Sequence, residues 1–454
     1  MNNPRSTMSG HGRWVWLFLC SFLSSTLSLS GCATYETRVR DVRQKFYSNE
    51  LDLASKKIDE GLKHPHHDAD VLKLERAMVD LTSGRPAQAE QTLREVRDRF
   101  DYLEQKSLGE SALSMLTDDN RKSYAGEDYE KILVRSFLAL SNLMNGGQDA
   151  QAYSLQITDK QQQIINAGLD KNGENPKTAY KQVALGPYIH GLIREETHAN
   201  YDDVARANAM VVSWQPEFAY GRQDLERAQH GRHSAPGHGV LYVFTLVGRG
   251  PFKEEVLEIP STVALLVADR ILSNNNTYSL PPTVAPIKVP KVVAPNSAVS
   301  YVRVAVDRNH VGSTATITDV SRMAVEQYEA IYPRVIATAV VRRVVKKGVI
   351  YGTKEIIGGK RNSLLNVALD VAGVAWEATE AADTRCWGLL PDKIQVLRVE
   401  LPAGTHQVAL QAAGPYGSGP EATETITIGD ARNTYLLANF PDTKLVGKIL
   451  SSQK

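Results

Sequence analysis

The spacing of apolar residues in this 454-residue chain changes at Gly239, and that change limits what the chain can fold into. Ahead of it, apolar side chains recur every three or four residues, the period of a helix with one buried face; behind it they alternate or run together, as in strands. Between residues 71 and 100 the helical period is plain. Val71, Leu74, Met78 and Leu81 form one stripe, Ser83-Gly84-Arg85-Pro86 interrupts it, and Ala89, Leu93, Val96 and Phe100 form a second, which predicts an αα-hairpin. Looser versions follow at residues 129–156, around the turn Asn145-Gly146-Gly147, and at residues 188–216, closed by Trp214-Gln215-Pro216. The expected class is α+β: α-helical hairpins over residues 32–235, then a β-rich, sandwich-like domain over residues 236–454 with a helical hairpin insert.

In the second half, Val240 to Val247 reads as a strand ended by Gly248-Arg249-Gly250-Pro251, with residues 254–259 answering as a second strand. Residues 273–297, dense in Asn, Pro and Ser around Ile287-Lys288-Val289, suggest edge strands or an extended connection. Residues 301–306 and 313–320 flank Asp307-Arg308-Asn309-His310-Val311-Gly312 as a hairpin. Residues 394–401 give way at Pro402-Ala403-Gly404-Thr405 to residues 406–410, and residues 425–428 turn through Gly429-Asp430 into Tyr435-Leu436-Leu437. That regular spacing predicts a small antiparallel sandwich.

The insert, about residues 321–381, divides the strands. From Pro333 onward, Val340-Val341 and Val344-Val345 alternate with Arg342-Arg343 and Lys346-Lys347, which puts apolar residues on one helix face and cations on the other. A second helix is expected over residues 364–378, with Leu364, Ala368, Val371 and Ala375 on one stripe and Gly358-Gly359-Lys360 as the link. Paired cations forbid a comfortable membrane span, since each charge at mid-bilayer costs about 2.5–3.5 kcal/mol. Two readings remain: a helical hairpin packed on the sheet, or a surface on which Arg342, Arg343, Lys346 and Lys347 touch anionic lipid or cell-wall polymer.

The chain starts with a separate signal. Arg5 and Arg13 precede the apolar run that begins at Trp14, and Leu29-Ser30-Gly31-Cys32 ends it with small residues and a cysteine. Ser21, Ser24, Ser25, Thr26, Ser28 and Ser30 dilute the run, whereas a membrane span needs about 20 predominantly apolar residues. The segment resembles the bacterial lipoprotein signal, in which residues 1–31 are removed and the new N-terminal cysteine, here Cys32, is lipidated on sulfur and acylated on its amine. Several acyl chains, at about 0.8 kcal/mol per buried methylene, make a durable anchor. In such proteins an Asp after the cysteine favours the inner membrane; Ala33 stands there, so the resemblance implies the periplasmic face of the outer membrane.

Removal of residues 1–31 leaves 50 basic against 51 acidic residues, a balance that argues against bulk nucleic-acid binding, which needs a basic footprint. Of the three cysteines, Cys20 leaves with the signal and Cys32 carries lipid, so Cys386 has no disulfide partner and is expected as a small buried hydrophobe. His64-Pro65-His66-His67-Asp68 is poorly placed to converge on a metal. His230, His233 and His238, in a glycine-rich link, could wrap one or simply mark a domain boundary. Gly358-Gly359-Lys360 lacks the earlier glycine and the following Ser or Thr of a phosphate loop, Gly417-Ser418-Gly419 lacks a strand-to-helix setting, and His406 reads as a strand residue. No catalytic residue, metal or cofactor is expected.

The hairpin over residues 71–100 resembles a tetratricopeptide repeat, with small Ala77 and Ala89 where the helices approach and Gly84 in the turn. Together with Cys32, Gly239 to Val247, Ala382-Asp383-Thr384-Arg385-Cys386-Trp387, Leu389-Leu390-Pro391 and Leu401-Pro402-Ala403-Gly404-Thr405-His406, the chain resembles uncharacterised bacterial lipoproteins with tetratricopeptide-like domains. Stacked hairpins leave a concave surface that commonly holds a peptide or partner. The expected function is therefore a lipid-anchored periplasmic scaffold binding an envelope protein, without catalysis; the alternative is a cell-wall or anionic-lipid module built on the basic helix.

Overall fold

The structure, a computed structural model, describes residues 35–65, 67–109, 122–169, 173–273, 280, 285–356 and 381–452. Its first part is a run of helices: α1 (Tyr35–Tyr47), α2 (Leu51–Lys63), α3 (Ala69–Thr82), α4 (Pro86–Gly109), α5 (Asp128–Asn145), α6 (Ala150–Asn166), a 3-10 turn (Pro176–Ala179), α7 (Leu185–Glu195), α8 (Tyr201–Trp214) and α9 (Gly221–Gln229). Each helix packs on the next in sequence, so the hairpins stack as an array. The hairpin read over residues 71–100 is α3–α4, the one over residues 129–156 falls on α5–α6, and the one over residues 188–216 falls on α7–α8. Local chemistry sets the ends. Gly84 turns with φ 85°, Gly146 closes α5 with φ 67°, and Glu127 and Glu130 form a reciprocal capping box that starts α5.

Helices in the array are of two kinds. Of α2, only Ala54 and Ile58 are buried, the narrow stripe of an amphipathic surface helix. By contrast α3 and α5 are buried around most of their circumference, and the run Ile132-Leu133-Val134 with Phe137-Leu138-Ala139-Leu140 explains why: an all-round apolar helix needs neighbours on every side. The second neighbour is a β-sheet.

Strand β1 (His238–Val247) lies at the centre of that sheet, and β2 (Phe252–Glu258), helix α10 (Thr262–Ser273) and β3 (Ile287–Val293) follow it in the chain. Next come β4 (Tyr301–Val306), β5 (Asn309–Ser313), β6 (Ala315–Asp319), the long helix α11 (Val320–Ile356), β7 (Lys393–Pro402), β8 (Gly404–Gly414), β9 (Gly417–Ser418), β10 (Ala422–Ile428), β11 (Asn433–Phe440) and β12 (Val446–Ser451). One five-stranded sheet runs β12-β11-β1-β7-β6. The other runs β10-β8-β4-β5 with β9 appended to β8, and β2 and β3 pair by themselves.

The continuous apolar run of β1 follows from burial on both faces. Leu241, Val243 and Val247 meet Val302, Val304, Leu410 and Ile426 of the second sheet. Tyr242, Phe244 and Leu246 join the helical core instead, where Tyr188 of α7 packs edge-on to Tyr242 and Phe244 with ring centroids 6.4 Å apart. The result is three layers: helices, the β1 sheet, and the second sheet. Helical and β-rich parts therefore share one hydrophobic cluster.

Several strand partners differ from the sequence expectation. Residues 254–259 do not pair with β1: β2 pairs with β3, while β1 has β11 parallel on one side and β7 antiparallel on the other. The expected hairpin arm over residues 313–320 is split. β5 returns on β4 through Asp307 and Arg308, both at positive φ, and β6 then crosses to the other sheet. Pro402-Ala403-Gly404 likewise carries the chain from one sheet to the other, as does the link from β10 to β11. The sandwich is thus built by a chain that changes sheet between β5 and β6, β7 and β8, and β10 and β11, and among the described residues β1 and β11 form its parallel pair.

The helix expected from Pro333 begins thirteen residues earlier, at Val320, with Pro333 inside it. Val320, Met323, Ala324, Gln327 and Tyr328 are buried at helical spacing ahead of the proline, and their packing outweighs the lost backbone hydrogen bond, a cost of about 3 kcal/mol. Residues 364–378 and the Gly358-Gly359-Lys360 link lie outside the described residues. Helix α10 has no counterpart in the sequence reading. Its Ala264, Ala268 and Leu272 pack on Ile336, Ala337, Val340 and Val341 of α11 and on Ile287 and Val289 of β3, forming a third, smaller core.

Candidate functional site

Cys32 and His66 lie outside the described residues. On α11, Arg343 is turned to its own chain, where Nη1 donates to the carbonyls of Ala285 (3.2 Å) and Pro286 (2.7 Å), and Arg342 is half-buried and lines a cleft. The helix backbone continues through Lys346 and Lys347, whose side chains are not among those described. The three histidines of the link do not converge. His233 is buried, with Nε2 2.9 Å from Asn433 Oδ1 and Nδ1 3.0 Å from Ser234 Oγ, and burial holds its pKa below the usual histidine value. His230 Nδ1 sits 2.7 Å from Glu226 O, and His238 Nδ1 3.2 Å from Pro236 O. Among the described residues no three His, Cys, Asp or Glu side chains gather as a metal site. His406 ties the sandwich together, with Nδ1 2.7 Å from Asp307 Oδ2 and Nε2 2.8 Å from Pro402 O.

Residues 382–391, which carry Cys386, are inserted into the helical array. Trp387 packs on Phe137 of α5 with ring centroids 5.3 Å apart, and its backbone N–H donates to Glu130 Oε1 at 2.7 Å. The N–H groups of Gly388 and Leu389 donate to the two carboxylate oxygens of Glu75 on α3, at 2.8 and 2.9 Å, and Tyr47 of α1 donates to the Gly388 carbonyl at 3.3 Å. Arg385 donates through Nη1 to the carbonyls of His67 and Lys122, both at 3.0 Å, and through its other nitrogens to Asp383. Tyr124 and the Glu127 N–H both donate to Glu130.

Glu75 and Glu130 are fully buried, and burial is the main reason both carboxyls titrate above their ordinary range, Glu75 at about 7. Cys386 is buried with Sγ 3.7 Å from Arg43 Nη2, and burial pushes its thiol up, away from the reactive thiolate. Glu75 and Glu130 receive backbone N–H donors from residues 387–389 and so clamp that segment to α3 and α5.

An open site lies nearby. A cleft of about 500 Å3 separates α11 and β3 from the start of α5 and the 3-10 turn. One stripe of α11 forms a wall, with Ile331, Val335 and Ala339 beside Arg334 and Arg342; Val289 and Pro290 line the cleft from β3. Small residues, Gly126, Ala167, Gly168 and Ala382, leave the volume free. Each acid on the wall has a cation of its own: Glu127 is paired with Lys253, Asp128 with Lys177 at 2.7 Å, and Asp383 with Arg385 at 2.7 Å. Lys288 is held by Glu255 at 3.0 Å, whereas Arg334 is exposed and has no ion-pair partner among the described residues.

Sequence reasoning singled out Arg342 for a different role and missed Arg334, Glu75 and Glu130. A signal for Glu75 was present: an acid between Leu74 and Met78 in a helix that is apolar on more than one side. For Arg334 the signal was its place two turns before Arg342 on the same face. Compared with protein families, with curated proteins and with solved structures, the chain matches none.

Proposed function

We propose that the chain is a lipid-anchored scaffold of the bacterial cell envelope, of the kind that the lipoproteins with tetratricopeptide-like domains in its resemblance represent, held at the periplasmic face of the outer membrane through Cys32, and that it binds an envelope protein without transforming it. The observation that supports a binding role is the use to which the buried charges are put. Glu75, Glu130 and Arg385 bolt residues 382–391 to α3, α5 and the loops around them, while Arg227 of α9 pairs with Glu195 of α7 at 2.7 Å beside Tyr242 of β1, whose hydroxyl donates to the same carboxylate at 3.1 Å. Such groups fix one arrangement of layers. The inner helices α3 and α5 are already covered by β-strands and by residues 382–391, so a protein partner meets the outer faces of the array or the side of α10 and α11 rather than a concave helical groove.

Two measurements test this. Radiolabelled palmitate should enter the wild-type protein and not the Cys32→Ser variant, and the label should fractionate with the outer membrane; an unlabelled protein refutes the anchor. A photo-crosslinking residue placed at exposed Tyr102 of α4, Leu155 of α6 or Leu266 of α10 should give, in intact cells, a discrete protein adduct from at least one position. No adduct from any of the three refutes the scaffold.

A further inference from the structure

We infer that the cleft between α11, β3 and the start of α5 takes a small amphipathic anion, a carboxylate or phosphate carried on a short aliphatic body. This goes beyond the scaffold reading and does not depend on where the chain is tethered.

Size, wall chemistry and charge lead there together. About 500 Å3 is within the roughly 300–1,000 Å3 of small-molecule sites. The body of the ligand would lie between two aliphatic surfaces, Ile331, Val335 and Ala339 on α11 and Val289 with Pro290 on β3. Its head would meet Arg334. A guanidinium binds carboxylate and phosphate oxygens through two parallel N–H bonds, charge-assisted and stronger than bonds between neutral groups. A cationic ligand finds no opposite charge to pair with, because Glu127, Asp128 and Asp383 are each neutralised by Lys253, Lys177 and Arg385. A neutral one would leave the guanidinium without an opposite charge. The helix geometry itself sets the alignment: Arg334, Thr338 and Arg342 follow at four-residue steps, so head-group donors and aliphatic side chains share one face of α11.

The test uses the full chain held in phosphatidylcholine nanodiscs, with empty discs as the blank, and titration calorimetry. Octyl phosphate and octanoate should bind, while octyltrimethylammonium, octanol and inorganic phosphate should bind at least about tenfold more weakly. Arg334→Glu should weaken octyl phosphate by about tenfold or more, and Thr338→Trp, which fills the cleft from the same face, should abolish binding; the melting profile of each variant checks its fold. Equal binding of the cation or the neutral alcohol overturns the anion, equal binding of inorganic phosphate overturns the aliphatic body, and insensitivity to both substitutions overturns the site. A free solute and a lipid headgroup offer the same chemistry. Discs doped with phosphatidylglycerol separate them: competition with octyl phosphate assigns the ligand to the bilayer, and undiminished octyl phosphate binding assigns it to solution. Failure here leaves palmitate labelling at Cys32 and crosslinking from α4, α6 or α10 untouched.

Discussion

Replacing Glu75 by Gln exchanges a carboxyl that titrates for an amide of the same shape that does not, which makes it the sharpest probe of the clamp. Both carboxylate oxygens accept a backbone N–H, from Gly388 at 2.8 Å and Leu389 at 2.9 Å. The amide has one oxygen to offer, and its NH2 group then faces the second N–H, donor against donor, whereas even a protonated carboxyl keeps an accepting lone pair on its hydroxyl oxygen. A buried N–H left without an acceptor costs about 1–3 kcal/mol. Titration adds a dependence on pH. Burial, outweighing the nearby Arg43 and the two backbone donors, raises the Glu75 carboxyl from an ordinary 4.5 to about 7. The folded protein therefore holds this proton more tightly than the unfolded chain does. Its contribution to stability is fully present below about pH 4.5 and is lost as pH rises through about 7. At about 1.4 kcal/mol per pH unit, the loss across that window is about 3 kcal/mol.

The Gln variant has no such slope. Urea unfolding followed by tryptophan fluorescence, with Trp387 packed against the clamp, should show wild type more stable than Glu75→Gln by about 1–3 kcal/mol near pH 4.5. By pH 8 the gap should close, or reverse, by about 3 kcal/mol. Two stability curves that run parallel from pH 4.5 to 8 would show that Glu75 does not titrate in this window and would refute the reasoning.

Three further substitutions probe how the layers are joined. Gly447 of β12 has φ 76°, and a Cβ there would collide with the Thr82 carbonyl at the end of α3, so Gly447→Ala should cost at least about 2 kcal/mol. Gly146, at φ 67° with nothing within 4 Å, should lose only about 1 kcal/mol as Ala, and equal thermal shifts in the two variants would show that the β12–α3 approach is not tight. Arg385→Met strips Asp383 of its counter-charge and two carbonyls of their donor; denaturant titration should show a loss of about 3–5 kcal/mol, and a loss under 1 would refute the clamp. His233→Ala leaves Asn433 Oδ1 without that partner and should cost about 1–3 kcal/mol, while His230→Ala and His238→Ala should be near neutral in the same melts. A metal held by all three histidines would instead make the three losses similar and sensitive to chelator.

What was legible in the sequence is what short-range physics decides. The stripes Val71-Leu74-Met78-Leu81 and Ala89-Leu93-Val96-Phe100 define α3 and α4 because a helix needs only neighbours three and four residues away. Val240 to Val247 reads as a strand for the same local reason. Its partners do not: β1 pairs with β11 and β7, which lie some 150 to 200 residues further on, and the nearer β2 turns to β3 instead. Apolar alternation cannot choose among partners that all present the same pattern, so the register was set by burial on both faces of β1, a fact that requires the helical layer to be in place.

The same limit hides both sites. Glu75 becomes a clamp only when Gly388, more than three hundred residues later, brings its N–H to the carboxylate. The walls of the cleft come from the start of α5, the end of α6, the 3-10 turn, β3, α11 and residues 381–383, six separate segments, and no one of them carries a complete motif. On α11 alone a trace remains, because the alternation that the sequence presents as a surface amphipathic helix is interrupted by Arg343 bonding backwards to the Ala285 and Pro286 carbonyls. That guanidinium faces its own chain, and among the described residues lining the cleft Arg334, outside the row that composition picked out, is an exposed cation with no ion-pair partner. Charge patterning finds where cations are dense; only packing finds which of them lacks a partner.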